Sequence, residues 1–212
     1  MKHYLFPKYF SQFSADELME KCVELGIDGP TLMIREGYWV DDNNYRETIP
    51  AFVATAKAHG LEVKYADTNI CMDRIDEYVD QLKVMKENGI EQFRLWYVFR
   101  RDFVGRVREM ESFVRENLTH VAEIAKEIGI QAIVQIHGRM YPLSASTAYA
   151  CVKGMDPRYI GVKMDPGNNF SVEGYEEFDY QVELLGDYIA ALGAKNAALF
   201  KEVAADDDTV TW

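Results

Sequence analysis

Residues that can move protons or hold oxygen ligands recur at short intervals in the second half of this 212-residue sequence. Gln135-Ile136-His137 and Lys163-Met164-Asp165 each set two such residues two apart, a spacing that turns both to one side of a strand. Histidine trades protons near neutral pH, so His137 is the leading general-base candidate. Asp165, followed by Pro166-Gly167-Asn168-Asn169, supplies a carboxylate that can orient a ligand or hold a metal. Lys163 and Lys201 are candidate partners in proton exchange, and Gln135 and Asn168 are candidates to grip hydroxyl groups. Each has a plainer account beside it. Aspartate before Pro-Gly is an ordinary turn former, a strand histidine is often a satisfied core group, and Lys163 can close a buried ion pair.

A second set consists of guanidinium and indole groups. Arg94 and Trp96 fall in phase on one strand candidate, while Arg35, Trp39 and Arg139 follow strand candidates in loops. Aromatic faces stack on the apolar faces of ligands, which makes Trp39 and Trp96 candidate walls of a binding site. Arg94 can line a binding site with Trp96 or equally close a salt bridge within the fold, and Arg35 can contact a ligand or simply pair with Glu36. The basic loop with Arg100, Arg101, Arg106 and Arg108 offers bidentate contacts to a phosphate, or is simply a solvated face. Tyr38-Trp39 can equally pack down on the fold beneath.

The elements that must position these residues alternate. Leu25-Gly26, His59-Gly60, Asn88-Gly89, Ile128-Gly129 and Leu192-Gly193 each close a helical pattern and precede an apolar run, as expected of glycine just past a helix end. Ser14-Ala15-Asp16-Glu17 is a capping box. Helical stripes run through Leu18, Cys22 and Leu25, through Ile75, Val79 and Leu82, from Met110 to Ile128, and through Phe178, Val182, Leu185, Ile189 and Leu192. Seven strand candidates lie at residues 3–6, 30–35, 62–67, 92–98, 130–137, 159–165 and 197–202. The alternation implies a parallel sheet with right-handed crossovers. Polar clusters after so many strands favour a (β/α) barrel over a doubly wound sheet with a single crevice. No GxGxxG or P-loop follows the first strand.

Composition sets the outer bounds. Hydrophobic residues make up 48% and charged residues 27%, as in ordinary globular chains. The net charge of -12 opposes phosphate backbones and anionic membranes, so neither nucleic acid nor membrane is an expected partner. No apolar run reaches membrane-spanning length. Three scattered cysteines and no signal-like opening point to a soluble, cytoplasmic protein.

Several segments together are similar to the xylose-isomerase-like TIM-barrel superfamily of sugar and sugar-phosphate isomerases and epimerases. They are Ser14–Lys21 with Leu25-Gly26-Ile27-Asp28-Gly29, Gly60-Leu61-Glu62-Val63, Val134-Gln135-Ile136-His137-Gly138, and Asp156 through Asn168 with its Gly-Val strand and Asp-Pro-Gly-Asn end. The resemblance implies an α/β TIM-type barrel and proton transfer next to a carbonyl of a small sugar or sugar phosphate. It also implies one divalent metal (Mn, Mg, Co or Zn) held by a Glu after strand 5, an Asp after strand 6, a His after strand 7 and a Glu after strand 8. Carried over residue by residue, the strand-6 ligand is Asp165 and the strand-5 position is Gln135, an amide. The strand-7 pattern, His-x-Lys-Asp, reads Leu199-Phe200-Lys201-Glu202, and no strand-8 glutamate has a counterpart. Asp165 and Gln135 are thus the metal-ligand candidates, a poor set for a hard cation. The expectation is one domain over residues 1–212 with about seven of eight βα units, its last unit lacking. Unpaired sheet edges would then invite a second copy of the chain. A sugar-binding or regulatory protein that lost the chemistry is the alternative.

Overall fold

The computed structural model describes residues 1–168 and 176–194, with the backbone of 202–203 and 210–211. In chain order the strands are β1 (Tyr4–Leu5), β2 (Gly29–Pro30), β3 (Leu32–Ile34), β4 (Tyr65–Thr68), β5 (Gln92–Arg94), β6 (Val98–Phe99), β7 (Gln131–Gln135), β8 (Met140–Tyr141), β9 (Ile160–Met164), β10 (Ile189–Leu192), β11 (Glu202–Val203) and β12 (Val210–Thr211). The helices are α1 (Ala15–Glu24), α2 (Tyr45–Ala58), α3 (Val79–Glu87), α4 (Val107–Ile128), α5 (Ala145–Val152), the short turn α6 (Pro166–Asn168) and α7 (Phe178–Leu185).

Six strands form one parallel sheet in the order β10-β9-β7-β5-β4-β3. β1 adds a seventh position by pairing in parallel with β2, which runs into β3 through Thr31. No pairing joins β10 to β1 among the described residues. The step from β2 to the next strand is so close that a Cβ on Gly29 would lie 2.0 Å from the Glu62 carbonyl oxygen. Only glycine lets the Glu62 N–H reach the Asp28 carbonyl across that gap, at 3.0 Å.

Register separates the two faces of the sheet. Met33 is opposite Asp67, Asp67 opposite Arg94, Arg94 opposite Ile133, and Gln135 opposite Lys163. Side chains two apart share a face, so Thr31, Met33, Tyr65, Asp67, Arg94, Ile133, Gln135, Lys163 and Asp165 lie on one side. The alternate residues Leu32, Ile34, Ala66, Phe93, Ala132, Val134, Ile160, Val162 and Met164 join the helix-side core with Leu18, Phe52, Leu82, Met110, Val114 and Leu118. Met33, Tyr65 and Ile133 are buried but lie outside that core. One face therefore anchors the helices and the other concentrates polar groups.

The helices follow local chemistry. α1 begins on Ser14 with both halves of the capping box formed, and α4 carries its stripe through Met110, Val114, Leu118, Val121, Ile124 and Ala125 to the left-handed Gly129. The last helical expectation is corrected. α7 stops at Leu185, where Gly186 turns to φ 49°, and residues 189–192 extend as β10. Tertiary anchoring overrides the apolar spacing there. The Tyr188 hydroxyl donates to the Met155 carbonyl at 2.9 Å and accepts from the Gly154 N–H at 3.0 Å, and Gly161 has no Cβ to block Ala190. The strand candidate at 197–202 lies outside the described residues except for Glu202, whose strand β11 pairs antiparallel with β12. Among the described residues no helix is long and apolar enough to cross a membrane.

Candidate functional site

The polar face converges at the C-terminal ends of the parallel strands, with Asp67 as the hub. Its carboxylate is fully buried and accepts from Arg94 Nε at 3.1 Å and from the Thr31 hydroxyl at 2.8 Å. Lys163 Nζ stands 3.9 Å from the same Oδ1 that Arg94 uses. Arg94 is itself buried and also donates to backbone, from Nη1 to the Leu95 carbonyl and from Nη2 to the Thr68 carbonyl. Register sets Asp67 directly beside Arg94 on β4 and β5, while Thr31 and Lys163 reach Asp67 from positions two residues off that line.

Beside the hub is a second network. Asp165, 1% exposed, accepts the Gln135 amide N–H on Oδ2 at 2.9 Å and the Asn168 backbone N–H on Oδ1 at 3.1 Å. Gln135 Oε1 in turn accepts from the Tyr97 hydroxyl at 3.0 Å, and burial raises the Tyr97 pKa, so that hydroxyl keeps its proton. The antiparallel β6–β8 ribbon ties the loops after β5 and β7 together and stacks Tyr97 against His137, centroids 4.9 Å apart. His137 Nδ1 is 2.8 Å from the Gly138 carbonyl oxygen. A carbonyl only accepts, so Nδ1 carries the proton of the neutral ring and Nε2 keeps the lone pair.

Aromatic rings wall the cations. Arg94 lies over Tyr97 and Trp96, and Arg35 over Trp96 at 5.4 Å and Tyr38 at 6.0 Å. Lys163 sits over Tyr65 at 5.1 Å and Phe6 at 5.5 Å. Burial raises the Tyr65 pKa well above the ordinary phenol range, and its hydroxyl has no partner among the described residues.

The xylose isomerase-like TIM barrel family model matches residues 19–207. The chain belongs to this family. Its sheet is thus the wall of an α/β TIM-type barrel, and the polar cluster occupies the end where such barrels carry their sites. Similar solved structures include a probable 3-DHS dehydratase from Bacillus anthracis, 15% identical, covering 98% of this chain and 75% of that one with a TM-score of 0.70. A 3-keto-D-glucoside 4-epimerase from E. coli is 16% identical over 90% of this chain and 75% of its own, TM-score 0.63. A xylose isomerase-like TIM barrel protein from Mycobacterium smegmatis, in complex with magnesium, is 13% identical over 95% and 72%, TM-score 0.63. At these identities the likeness is one of fold. No curated protein matches the chain.

The family's metal does not fit the described donors. Gln135 turns its amide nitrogen, not its oxygen, toward Asp165, and both Asp165 oxygens already accept N–H groups. The seventh parallel strand is β10, so the residue after it is Gly193, which corrects the strand-7 comparison made at Leu199. A Cβ on Gly193 would stand 3.3 Å from Asp165 Oδ2. A side chain there would face the carboxylate, and glycine offers none. Among the described residues no group of three or more His, Cys, Asp or Glu could hold a metal ion.

The cluster brings together Gln135, His137, Lys163, Asp165, Asn168, Arg94, Trp96 and Arg35. Of the two roles open to Arg94, the structure shows the salt bridge within the barrel: Nε donates to Asp67, and Nη1 and Nη2 each donate to a backbone carbonyl. Trp39 does not join. Its indole N–H donates to the Phe13 carbonyl at 2.9 Å and its ring packs on Phe52 at 5.6 Å, because helix α2 lies beneath it. Arg139 is exposed in the turn after His137 with φ 65°, and Lys201 lies outside the described residues. Thr31, Tyr65, Asp67 and Tyr97 were missed as site residues. Asp67-Thr68-Asn69 forms a polar strand end in the sequence, and the register shows that Asp67 meets Arg94.

Proposed function

We propose that this barrel is an isomerase or epimerase that moves a proton next to the carbonyl of a small sugar or sugar derivative. The observation that carries the reading is His137, whose ring is fixed through Nδ1 so that Nε2 is left as a base among hydroxyl-binding groups. Nε2 takes the proton from the carbon beside the carbonyl, and the electron pair moves onto the carbonyl oxygen. The Lys163 ammonium, held near Asp67, offsets the negative charge that develops there. Return of the proton to the former carbonyl carbon, with the hydroxyl proton passing from one oxygen to the other, isomerises the substrate, and protonation of the original carbon from the opposite face by water epimerises it. Gln135 and Asn168, braced by Asp165, orient hydroxyls. No step in this scheme runs through a metal.

The test is incubation of the full chain in D2O with a panel of aldoses, ketoses, their phosphates and their acids. Deuterium should enter beside the carbonyl of at least one substrate, and His137→Gln should slow that exchange by about 100-fold or more. Absence of exchange across the panel overturns the reading. The structural use of Asp165, each of whose oxygens accepts an N–H from the protein, favours one other account, a sugar-binding protein without chemistry. Tight sugar binding with no isotope exchange selects it.

A further inference from the structure

The charge at the strand ends runs against the charge of the chain. Overall the sequence carries -12, yet Arg35, Arg94 and Lys163 gather around Asp67. Among the described residues Asp67 is the carboxylate that pairs with the group, and Arg94 holds it with the shorter approach. Lys163 shares an oxygen already in use, and Asp165 is engaged with Gln135 and Asn168. Arg35 is the residue left over. Among the described residues it forms no ion pair or side-chain hydrogen bond, and its Nε is buried without a partner. Burial, and after it the like charge of Arg94, lowers its pKa. Folding has placed a guanidinium beside the rings of Trp96 and Tyr38, near Asp67 but with no carboxylate paired to it among the described residues. An unmet buried donor on a charged group is costly, and is retained where a ligand completes it.

We propose that Arg35, with Lys163 beside Asp67, forms an oxyanion site that takes a carboxylate or phosphate carried by the substrate. This rests on reading the strand-end cluster as a substrate site and names the class of substrate: an anionic sugar derivative, not a neutral sugar. A planar guanidinium matches either oxyanion through paired N–H groups. The basic loop is the weaker place for such an anion. Arg106 is spent on Glu109 and the Asp102 carbonyl, and Arg101 is exposed beside Asp102.

The experiment is calorimetric titration of the full chain with three- to six-carbon sugar acids, sugar phosphates and their neutral parents. At least one anion should bind about 10- to 100-fold tighter than its parent, the worth of one or two charge-assisted hydrogen bonds. Whether the acid or the phosphate shows the gap identifies the oxyanion. Arg35→Gln should erase the gap, Arg35→Lys should keep part of it, and the exposed-loop control Arg101→Gln should keep all of it. Without ligand, Arg35→Gln should melt no lower than the parent chain, because it removes an unmet charge. Anions that bind no tighter than their parents, or a gap that survives Arg35→Gln, overturn the site. Isotope exchange on neutral sugars that is indifferent to Arg35→Gln removes the oxyanion site and leaves the isomerase reading standing. An Arg35-dependent anion gap with no exchange on any substrate does the reverse.

Discussion

Replacing Asp67 by Asn tests whether the strand-end cations are balanced as the geometry requires. Asp67 is 0% exposed and Arg94 2% exposed, and their charges meet at 3.1 Å. At an effective dielectric near 20 such a pair is worth about 5 kcal/mol, and breaking a buried pair by removing one partner costs about 3–5 kcal/mol. Asparagine keeps an oxygen for the Thr31 hydroxyl but leaves Arg94 and Lys163 without their shared carboxylate. For a chain of this size that loss should lower Tm by roughly 8–15 °C. The opposite truncation, Arg94→Gln, should be milder, because Lys163 is 3.9 Å away and can take over Asp67. The double variant should therefore cost well under the sum of the singles, with a coupling of about 2 kcal/mol or more by urea denaturation. Additive singles, or an Asp67→Asn cost below about 1 kcal/mol, would refute the assignment of Asp67 as the counter-charge of the site.

Other perturbations have clear signs. Gly29→Ala should destabilise by about 2–3 kcal/mol, since the new Cβ meets the Glu62 carbonyl oxygen at 2.0 Å and the clash is with backbone; a Tm within a degree of the parent would contradict that contact. Burial pushes the thiols of Cys22 and Cys151 up to about 11, so iodoacetamide at pH 8 should label half-buried Cys71 first, as read by peptide mass mapping, and equal rates would speak against the packing of α1 and α5. The Asp76 carboxylate raises the pKa of His120 above its usual value. Its contribution is full below about pH 6.5 and fades as pH rises through the higher folded value. The Tm advantage of the parent chain over His120→Gln should accordingly shrink between pH 6 and 8, and one that grew with pH would reverse the assignment.

Much of the scaffold was legible because it depends on local chemistry. The capping box at Ser14 and Glu17, the stripe of α4 and the left-handed glycines at 26, 60, 89 and 129 are each set by neighbours within one turn of chain. What failed was the end of α7. Phe178, Val182, Leu185, Ile189 and Leu192 keep helical spacing, but the pattern carries no record of the β9 edge waiting to pair with Ile189–Leu192 or of the Tyr188 hydroxyl that holds Gly154 and Met155. That one misplacement shifted the strand-7 comparison from Gly193 to Leu199. Within the site, pairs on a single strand were readable, Gln135 with His137 and Lys163 with Asp165, because alternation fixes their side. Pairs across strands were not. Asp67 with Arg94, and Tyr97 with Gln135, are 27 and 38 residues apart and meet only through the register and the β6–β8 ribbon.

The two departures from the family's ligand pattern have a common electrostatic consequence. Against the ligand pattern that the resemblance implies, Gln135 is neutral where a glutamate would add a negative charge beside Asp165, and Gly193 brings no side chain to the same corner. An acidic pocket built to hold a dication would repel an anionic ligand until the metal arrived. Here the described side chains at the strand ends lean positive without one, through Arg35 and Lys163 around a single shared Asp67. A fixed ammonium and guanidinium in a low-dielectric pocket can stabilise developing negative charge on oxygen, since what matters is a preorganised positive field aimed at that atom. The cost falls on the empty protein, which must hold Arg35 Nε buried and unmet. Affinity for an oxyanion and instability without one are then two measurements of a single arrangement, and they should move together in every variant of Arg35.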